Sequence, residues 1–443
     1  MRILLVTPYF PPQQAVASLR VHGFADTWAA AGADVTVLTT VKRPDQRAWP
    51  RSIEGYHVAE IPFAIPRYLE RLRGAHKRDE LDHARPPEAD DQREQPVRGR
   101  LGARFRRFRD QRGIYASVRM PDLTDFWVKP AVAWASARGP WDVAVSSAGP
   151  YTAHLAAMAI KTGGKAGFWV ADFRDLWTDN HLHRGLFPFT VRERLLERRC
   201  LRNADLISTV SEPLAEALKR RTDAPVLVVY NGFDADEYRT DDPRRVFPQD
   251  GIIRLVFTGS LYPSGQDPSP LLVAIASLRR TERAAFERVR IVVAGTSSRQ
   301  WLEAAQRTGA PEVVDARGIV GRAEAHRMQR DADALVLVDF ESNVRGALTT
   351  KAFEYLHGDP PILVIGGPEE TPIKRLIGAA GRGVNLGRDV VRIKEALGDL
   401  LADRPLHIAP RNDELIRSYS RQHQSRILFE RIAQMVRPGA APA

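Results

Sequence analysis

The chain has 443 residues, of which 44% are hydrophobic and 27% charged, a balance typical of a globular protein with more than one domain. Its formal net charge of +11 points to anionic partners such as nucleic acid, phosphorylated substrates or an acidic membrane surface. The single cysteine excludes an intramolecular disulfide, and no apolar run is long enough to span a bilayer. We identify no signal peptide at the start, so the sequence predicts a cytoplasmic protein.

Strands and helices alternate along the first part of the chain. The apolar strand Arg2–Thr7 is followed by a helix at Ala17–Ala31, which Gly32 ends, and by a second strand at Ala33–Thr39. Further strands are predicted at Val143–Ser146, Gly167–Ala171, Leu206–Val210 and Val226–Val229. This βαβ spacing predicts a parallel, doubly wound sheet.

A charged segment interrupts the pattern at about residues 67–119. Much of it is charged and contains several prolines, which predicts a mobile insertion with no core of its own. Near its end, arginines surround Leu101, Phe105 and Phe108, which share one stripe of a short amphipathic helix. Two interpretations of Arg98–Arg112 stay open: a solvated helix packed on the domain, and a helix lying on anionic lipid.

A polar linker at 236–250 precedes a second series of strands and helices. Strands are predicted at Ile252–Phe257, Val289–Gly295, Val313–Gly318 and Ala334–Phe340, and at a run ending at Ile365, with a helix at Pro270–Arg279. The sequence therefore predicts an α/β fold of two Rossmann-like doubly wound domains facing a cleft. The predicted boundaries are an N-terminal domain at 1–235, a C-terminal domain at 251–412, and a last helical stretch at 413–436 that packs back on the N-terminal domain.

One segment of the second domain has the features of an anion site. A loop between two apolar strands delivers Thr349, Thr350 and Lys351 to the start of a short helix, where free N–H groups and the helix dipole attract anions. Lys351 adds a full charge for phosphate, and Glu354, one turn further on, is placed to accept hydrogen bonds from sugar hydroxyls. The combination predicts a site for a nucleotide-linked sugar. The alternative is a solvated charge pair on a helix whose threonines only cap it.

Five short motifs follow one another in a particular order. They are the strand leading into Thr7–Pro12, then Val170–Trp177, Ser208–Glu212, Asn231-Gly232 and Thr350–Leu356. Their order and spacing resemble the GT-B-fold glycosyltransferases, in particular the large retaining family called glycosyltransferase family 4, over nearly the whole chain. The resemblance implies transfer of a sugar from a nucleotide diphosphate donor, held mainly by the C-terminal domain, to an acceptor held mainly by the N-terminal one. It implies no cofactor and no metal, because helix N-termini and a basic side chain neutralise the leaving diphosphate.

The resemblance also assigns donor-binding residues. It gives the diphosphate to Lys351 and the ribose hydroxyls to Glu354. The remaining donor-binding candidates are Gly259, Ser260, Arg317, Gly318, Ile319, Thr349 and Thr350. The pair Gly259-Ser260 matches the place where the backbone approaches phosphate, and the segment at 317–319 matches the one whose backbone reads the base, with an ordinary strand-to-helix turn as its alternative.

Two of the departures from the family pattern bear directly on the predicted ligand contacts. Gly346 stands where many relatives carry a glutamate that contacts the transferred sugar, so other groups must hold that sugar. Gln13 and Gln14 stand in place of a Gly-Gly loop, where they become candidates for acceptor binding through their amide groups.

Polar residues follow a buried strand of the first domain at the edge where open α/β sheets bind ligands. Asp172 and Asp175 are the catalytic candidates, placed to orient an acceptor hydroxyl or take its proton, and the alternative is an internal Asp–Arg pair. Arg20 and Arg174 complete the acceptor-binding candidates, with a surface salt bridge as the alternative for Arg20.

The sequence as a whole predicts a retaining glycosyltransferase with a glycan, lipid-linked or small-molecule acceptor, acting in cell-envelope or polysaccharide biosynthesis. Its expected location is cytoplasmic, peripheral on the inner face of the plasma membrane through Arg98–Arg112. The alternatives are a GT-B-fold nucleotide-sugar epimerase or hydrolase, or a non-catalytic nucleotide- or nucleic-acid-binding relative. Nucleic acid is not an expected partner, because no RNA- or DNA-reading motif is visible.

Overall fold

The computed structural model describes residues 1–436 with these exceptions: 14, 48, 50–52, 65–108, 110–111, 114–116, 180–182, 239–242, 263–264 and 342–347. Two compact units are present: one contains Met1–Tyr230 and the chain from Arg421 onward, and the other is Asn231–Ser420. Of the predicted Arg98–Arg112 helix only Arg109 and Arg112 are among the described residues, and Gln14 and Gly346 lie outside them. Within the described ranges no helix is both long and apolar enough to cross a bilayer.

The first unit is built on one parallel sheet. Its strands are β1 (Arg2–Val6), β2 (Asp34–Thr40), β3 (His57–Ile61), β4 (Trp141–Ser147), β5 (Ala166–Phe173), β6 (Leu206–Thr209) and β7 (Val226–Val228). Its first five helices are α1 (Val16–Ala30), α2 (Asp125–Arg138), α3 (Thr152–Thr162), α4 (Phe189–Asn203) and α5 (Glu212–Lys219). The strand order is β3-β2-β1-β4-β5-β6-β7, and every pair is parallel.

Alternate residues of the central strands enter two separate cores, because helices cover both faces of the sheet. Ile3 and Leu5 of β1 pack in the core that contains Trp28 of α1. Leu4 and Val6 pack in the opposite core with Trp127 of α2. This continuous apolar pattern is what made β1 readable from the sequence.

The second unit repeats the same kind of sheet. Its strands are β8 (Ile253–Thr258), β9 (Val289–Ala294), β10 (Val314–Gly318), β11 (Ala334–Val338), β12 (Ile362–Ile365) and β13 (Gly383–Gly387). Its helices are α6 (Ser269–Thr281), α7 (Arg283–Glu287), α8 (Ser298–Thr308), α9 (Arg322–Arg330), α10 (Thr350–His357), α11 (Pro372–Ala379), α12 (Val390–Leu401) and α13 (Asp413–Ser418). The strand order is β10-β9-β8-β11-β12-β13.

In both sheets the chain winds outward from a central strand, first to one side and then to the other. The order therefore reverses between β1 and β4 in the first sheet and between β8 and β11 in the second. Ligands of open α/β sheets bind at the carboxyl ends of the strands at such a reversal. The prediction of two Rossmann-like, doubly wound α/β domains is confirmed.

The last helix, α14 (Arg421–Val436), belongs to the first unit, as predicted for the end of the chain. The indole Nε1 of Trp28 donates to the carbonyl of Ser425 at 2.8 Å, and Leu428 and Ile432 join the same core. The predicted stretch Asp413–Val436 is nevertheless two helices. It breaks at Tyr419 and Ser420, where the Tyr419 carbonyl accepts the Phe233 N–H at 3.2 Å.

Candidate functional site

Three adjacent strands of the second sheet end at glycines with positive φ. These are Gly259 after β8 (φ 101°), Gly295 after β9 (φ 133°) and Gly318 at the end of β10 (φ 66°). Hydrogen bonds link their turns: Gly259 N–H donates to Ala294 O at 2.7 Å, and Gly295 N–H donates to Gly318 O at 2.6 Å. A Cβ on Gly295 would lie 2.3 Å from the Gly259 carbonyl oxygen, so no side chain fits there. This edge of the sheet consequently presents bare backbone.

Lys351 of α10 lies over the first of these glycines. Its Nζ donates to the Ser260 carbonyl at 3.2 Å and lies 3.7 Å from the centre of the Phe257 ring. A Cβ on Gly259 would lie 3.2 Å from Lys351 Cε, so glycine at 259 gives the lysine stem its room. The structure thus brings Lys351, Gly259 and Ser260 together where the strand order reverses.

The surroundings of Lys351 disfavour its charged form. Burial lowers the pKa of Lys351 from 10.5 to about 7, and the nearby charge of Glu354 only partly opposes this effect. In the unfolded chain the lysine titrates near its ordinary pKa. The free energy of unfolding therefore rises with pH between about 7 and 10.5, because the unfolded state alone holds this proton there. A bound anion would supply the missing opposite charge and return the proton to Lys351.

We therefore expect binding of UDP to take up a proton at pH 8, since Lys351 is mostly neutral before binding and charged afterwards. Affinity should fall as pH rises above 7, by at most about tenfold per pH unit. Calorimetry at pH 8 in buffers of different ionisation enthalpy measures the uptake directly. Lys351→Met should abolish it, and a wild-type protein that binds UDP without proton uptake would contradict the expectation.

The start of α10 offers further groups for an anion. Thr349 precedes the helix without a side-chain capping bond, and Thr350 is its first residue. The Thr349 hydroxyl is buried and has no hydrogen-bond partner among the described residues. A buried hydroxyl left without a partner is costly, and an oxygen of a bound ligand would recover that cost. The first N–H groups of α10 also point outward along the helix axis, where they could donate to the same bound anion.

Helix α10 is fixed against the end of β8 by residues that were not singled out from the sequence. The Tyr355 side chain is fully buried, and its hydroxyl accepts the Thr258 N–H at 2.9 Å. Gln329 of α9 donates to the Thr258 hydroxyl at 2.7 Å. These bonds set the position of Lys351 over Gly259. The sequence feature that could have indicated this contact is Tyr355, directly after Glu354, because its ring falls on the inner side of the helix.

Glu354 also has a partner that was missed from the sequence. Arg322, the first residue of α9, donates to Glu354 Oε1 at 3.0 Å and forms a second ion pair with Glu237. The Glu354 side chain keeps 15% of its surface exposed. Arg322 fixes the orientation of the Glu354 carboxylate. The group predicted to accept hydrogen bonds from sugar hydroxyls is therefore held in position by an ion pair.

The other donor candidates lie along the same edge of the sheet. The Ser260 and Thr296 hydroxyls are 2.6 Å apart. Arg317 is engaged by Asp315 at 2.7 Å, whereas Ile319 is 47% exposed just beyond Gly318. Bare backbone beside an exposed aliphatic side chain offers both hydrogen bonds and apolar contact for a planar ring.

In the first unit, Asp172 and Arg20 form one buried pair. Arg20 Nη2 lies 2.8 Å from Asp172 Oδ1, and the two side chains are 3% and 0% exposed. Arg20 Nε and the hydroxyls of Ser147 and Ser208 also donate to the carboxylate, at 3.0, 2.7 and 2.7 Å. Burial alone would raise the pKa of Asp172, but Arg20 and the two serines outweigh it, so its pKa lies below its ordinary value. The contacts match the internal Asp–Arg alternative, with Arg20 as the partner.

Of the remaining first-unit candidates, Arg174 lies close enough to Asp175, Asp172 and Arg20 for their charges to act on it, although burial is the largest effect and lowers its pKa. Asp175 is exposed, and Arg174 is half-buried with its Nη1 donating to the Ala17 carbonyl at 3.1 Å. Gln13 is half-buried and forms an isolated bridge with Arg47. In the described part of the chain, no group of three or more His, Cys, Asp or Glu residues is arranged to hold a metal ion.

Comparisons with known proteins give a likeness in structure but not in sequence. No family model and no curated protein matches this chain. A sucrose-phosphate synthase from Thermosynechococcus elongatus is 13% identical with a TM-score of 0.60, over 98% of this chain and 99% of its own. A lipopolysaccharide outer core galactosyltransferase is 13% identical with a TM-score of 0.56, over 98% of this chain and 100% of its own.

A third similar structure is a putative UDP-N-acetylglucosamine 2-epimerase from Listeria monocytogenes. It is 13% identical with a TM-score of 0.52, over 100% of this chain and 98% of its own. At this identity the likenesses define the fold alone, which is the GT-B fold with its two Rossmann-like domains.

Proposed function

We propose that the chain is a glycosyltransferase that uses a nucleotide diphosphate sugar as donor. The observation that carries the proposal is the position of Lys351 over the bare backbone of Gly259, two residues after Thr349, whose buried hydroxyl has no hydrogen-bond partner among the described residues. A half-buried lysine whose surroundings lower its pKa, an open glycine turn and a helix N-terminus all favour a bound anion of high charge. Two of the similar structures, the sucrose-phosphate synthase and the galactosyltransferase, support sugar transfer on this fold.

We assign each part of the nucleotide sugar to residues of the second unit. Lys351 and the first N–H groups of α10 hold the diphosphate, and Glu354, oriented by Arg322, accepts from a ribose hydroxyl. The segment from Arg317 to Ile319 contacts the base. During transfer the bond from the anomeric carbon to the diphosphate oxygen breaks, and these cationic and N–H groups stabilise the charge that develops on that oxygen.

On the acceptor side we assign different roles to the two aspartates. Asp172 is a positioning residue, because a fully buried carboxylate with four donated hydrogen bonds is closed to an acceptor hydroxyl. Asp175 is exposed at the same strand end and is the carboxylate we assign to orient the acceptor, with Arg174, Gln13 and Gln14 as its companions. The acceptor oxygen forms the new bond to the anomeric carbon on the face from which the diphosphate leaves, which retains the anomeric configuration. The acceptor proton passes to Asp175 or to the leaving diphosphate.

We further propose membership of glycosyltransferase family 4, with a glycan, lipid-linked or small-molecule acceptor in cell-envelope or polysaccharide biosynthesis. The motif order from Thr7 to Leu356 supports the family, and the net charge of +11 supports a peripheral place on the inner face of the plasma membrane. The wider division into domains at 1–235 and 251–412 joined by a linker at 236–250 belongs to the same proposal.

Product analysis with purified protein tests the function. A thermal-shift screen with nucleoside diphosphates first selects the base, and the matching nucleotide sugars are then incubated with and without a membrane lipid and oligosaccharide extract. We expect release of nucleoside diphosphate only when acceptor is present, with the new glycosidic bond in the donor's configuration by NMR. Donor epimerised without acceptor would favour an epimerase like the third similar structure, and free sugar without acceptor would favour a hydrolase.

A further inference from the structure

Helix α4 of the first unit carries exposed apolar side chains on one side. Val191 and Leu195 are 50% and 60% exposed, and Phe187, just before the helix, is 76% exposed. At about 3.6 residues per turn, Val191 and Leu195 lie one turn apart on the same side of α4. Large apolar side chains scattered singly over a surface are ordinary, but a group of them marks a contact surface.

The same face of α4 is strongly cationic. Its exposed arginines are Arg192, Arg194, Arg198, Arg199 and Arg202. The two acidic residues of the helix, Glu193 and Glu197, are 0% and 3% exposed and turn inward. Glu193 pairs with Arg119 at 3.1 Å, and Glu197 accepts from the Thr178 N–H at 3.3 Å. The helix therefore keeps its negative charges inside and presents only positive ones.

Two features place this face in the unit. Helix α4 follows β5, so its first turns lie towards the carboxyl edge of the sheet, where Asp175 is exposed. Arg112, the end of the arginine-rich segment, donates to the Gly185 carbonyl at 3.2 Å, two residues before Phe187. The apolar residues thus stand at the ligand-binding edge, and a second basic segment ends beside them.

We propose that Phe187, Val191, Leu195 and the five exposed arginines of α4 form a docking surface for an anionic phospholipid bilayer. An interfacial helix needs apolar side chains to enter the acyl boundary and arginines to meet lipid phosphates, and α4 offers both on one face. Nucleic acid would use the arginines but would leave the apolar side chains unburied. In a symmetric dimer the arginines would face their own copies and repel.

The docking surface is independent of the proposed donor site in the second unit. Sedimentation of the full chain with vesicles of phosphatidylglycerol and phosphatidylcholine, against pure phosphatidylcholine, measures it without any enzymatic turnover. We expect binding only to the anionic vesicles. Replacing Arg194, Arg198 and Arg202 by Gln should lower the partition coefficient about 100-fold, at roughly fivefold per arginine near the surface. Val191→Ser with Leu195→Ser should abolish the binding that persists at high salt.

Matched controls come from the second unit. Replacing the exposed Arg280, Arg283 and Arg299 by Gln removes the same charge, and Val273→Ser with Val391→Ser removes two other exposed valines. Both should change the partition less than about threefold. An equal loss in the control variants, or no loss in the α4 variants, would overturn the proposal.

Further measurements distinguish lipid docking from the other possible occupants of this surface and from a folding defect. Binding to single-stranded RNA as tight as to anionic vesicles, or a dimer by light scattering that Leu195→Ser dissociates, would also overturn it. Phe187→Cys carrying an environment-sensitive dye reports on the otherwise intact surface. A blue shift with anionic vesicles is expected, and no shift would contradict lipid contact. Unchanged UDP binding by the α4 variants would show that a lost partition is not a lost donor site.

Discussion

Lys351→Ala is expected to weaken UDP or GDP binding about 100-fold, a loss of ~3 kcal/mol for a charge-assisted contact to phosphate. The fold should be unaffected. Lys351 donates only to the Ser260 carbonyl in the described chain, and its burial already disfavours its charge. Isothermal calorimetry gives the affinity, and thermal unfolding reports on the fold.

Two variants sharpen the Lys351 test. Lys394→Ala removes a half-buried lysine of α12 in the same unit and should leave the affinity unchanged. Lys351→Met keeps the aliphatic stem against the Phe257 ring, so a loss of affinity without a loss of melting temperature isolates the charge. If Lys351→Ala bound UDP and GDP as tightly as the wild type, the donor site would lie elsewhere.

Asp172→Ala is expected to destabilise the first unit by ~3–5 kcal/mol, because it leaves the Arg20 charge buried without its partner. For a unit of this size the melting temperature should fall by about 10 °C. The lowered pKa of Asp172 gives the sign of the pH effect. The stabilisation is present above about pH 4, the ordinary pKa, and is lost as the pH falls through the lower folded value. Calorimetric melting across this pH range measures both effects.

Controls distinguish a positioning role for Asp172 from a catalytic one. Asp175→Ala, at an exposed position, should change the free energy of unfolding by less than ~0.5 kcal/mol while reducing transfer. Arg20→Met with Asp172→Leu should recover most of the stability of the single variant, because no charge then stays buried alone. A stable Asp172→Ala protein that had lost turnover would restore Asp172 as a catalytic base.

The fold was readable from the sequence because both sheets are parallel and covered on both faces. Strands such as β11 and β12 are continuous apolar runs, and Gly366 marks where β12 ends. Strand β13 (Gly383–Gly387) was not predicted. Its sequence, Gly-Val-Asn-Leu-Gly, is short and only half-buried, so it lacks that pattern.

The candidate site was only partly readable for a different reason. Lys351 and Glu354 belong to one short motif, whereas the residues that hold them come from distant segments. Arg322 is 32 positions before Glu354, and Thr258 is 97 before Tyr355. Asp172 is the clearest case. Its polar neighbours in the sequence suggested chemistry, but its actual partner, Arg20, lies 152 positions away on α1. Contacts over such separations leave no periodic signal in a single sequence.

The return of α14 to the first unit makes the order of synthesis matter for folding. Trp28 of α1 shares its core with Leu428 and Ile432, so two walls of one core are separated by some four hundred residues of chain. A nascent chain completes the whole second unit before the ribosome has made α14. Until then the apolar side of α1 that α14 covers is open to solvent and to other unfinished chains. The first unit is thus the first to be synthesised and the last to be finished, which makes chaperone protection of α1 most valuable during translation.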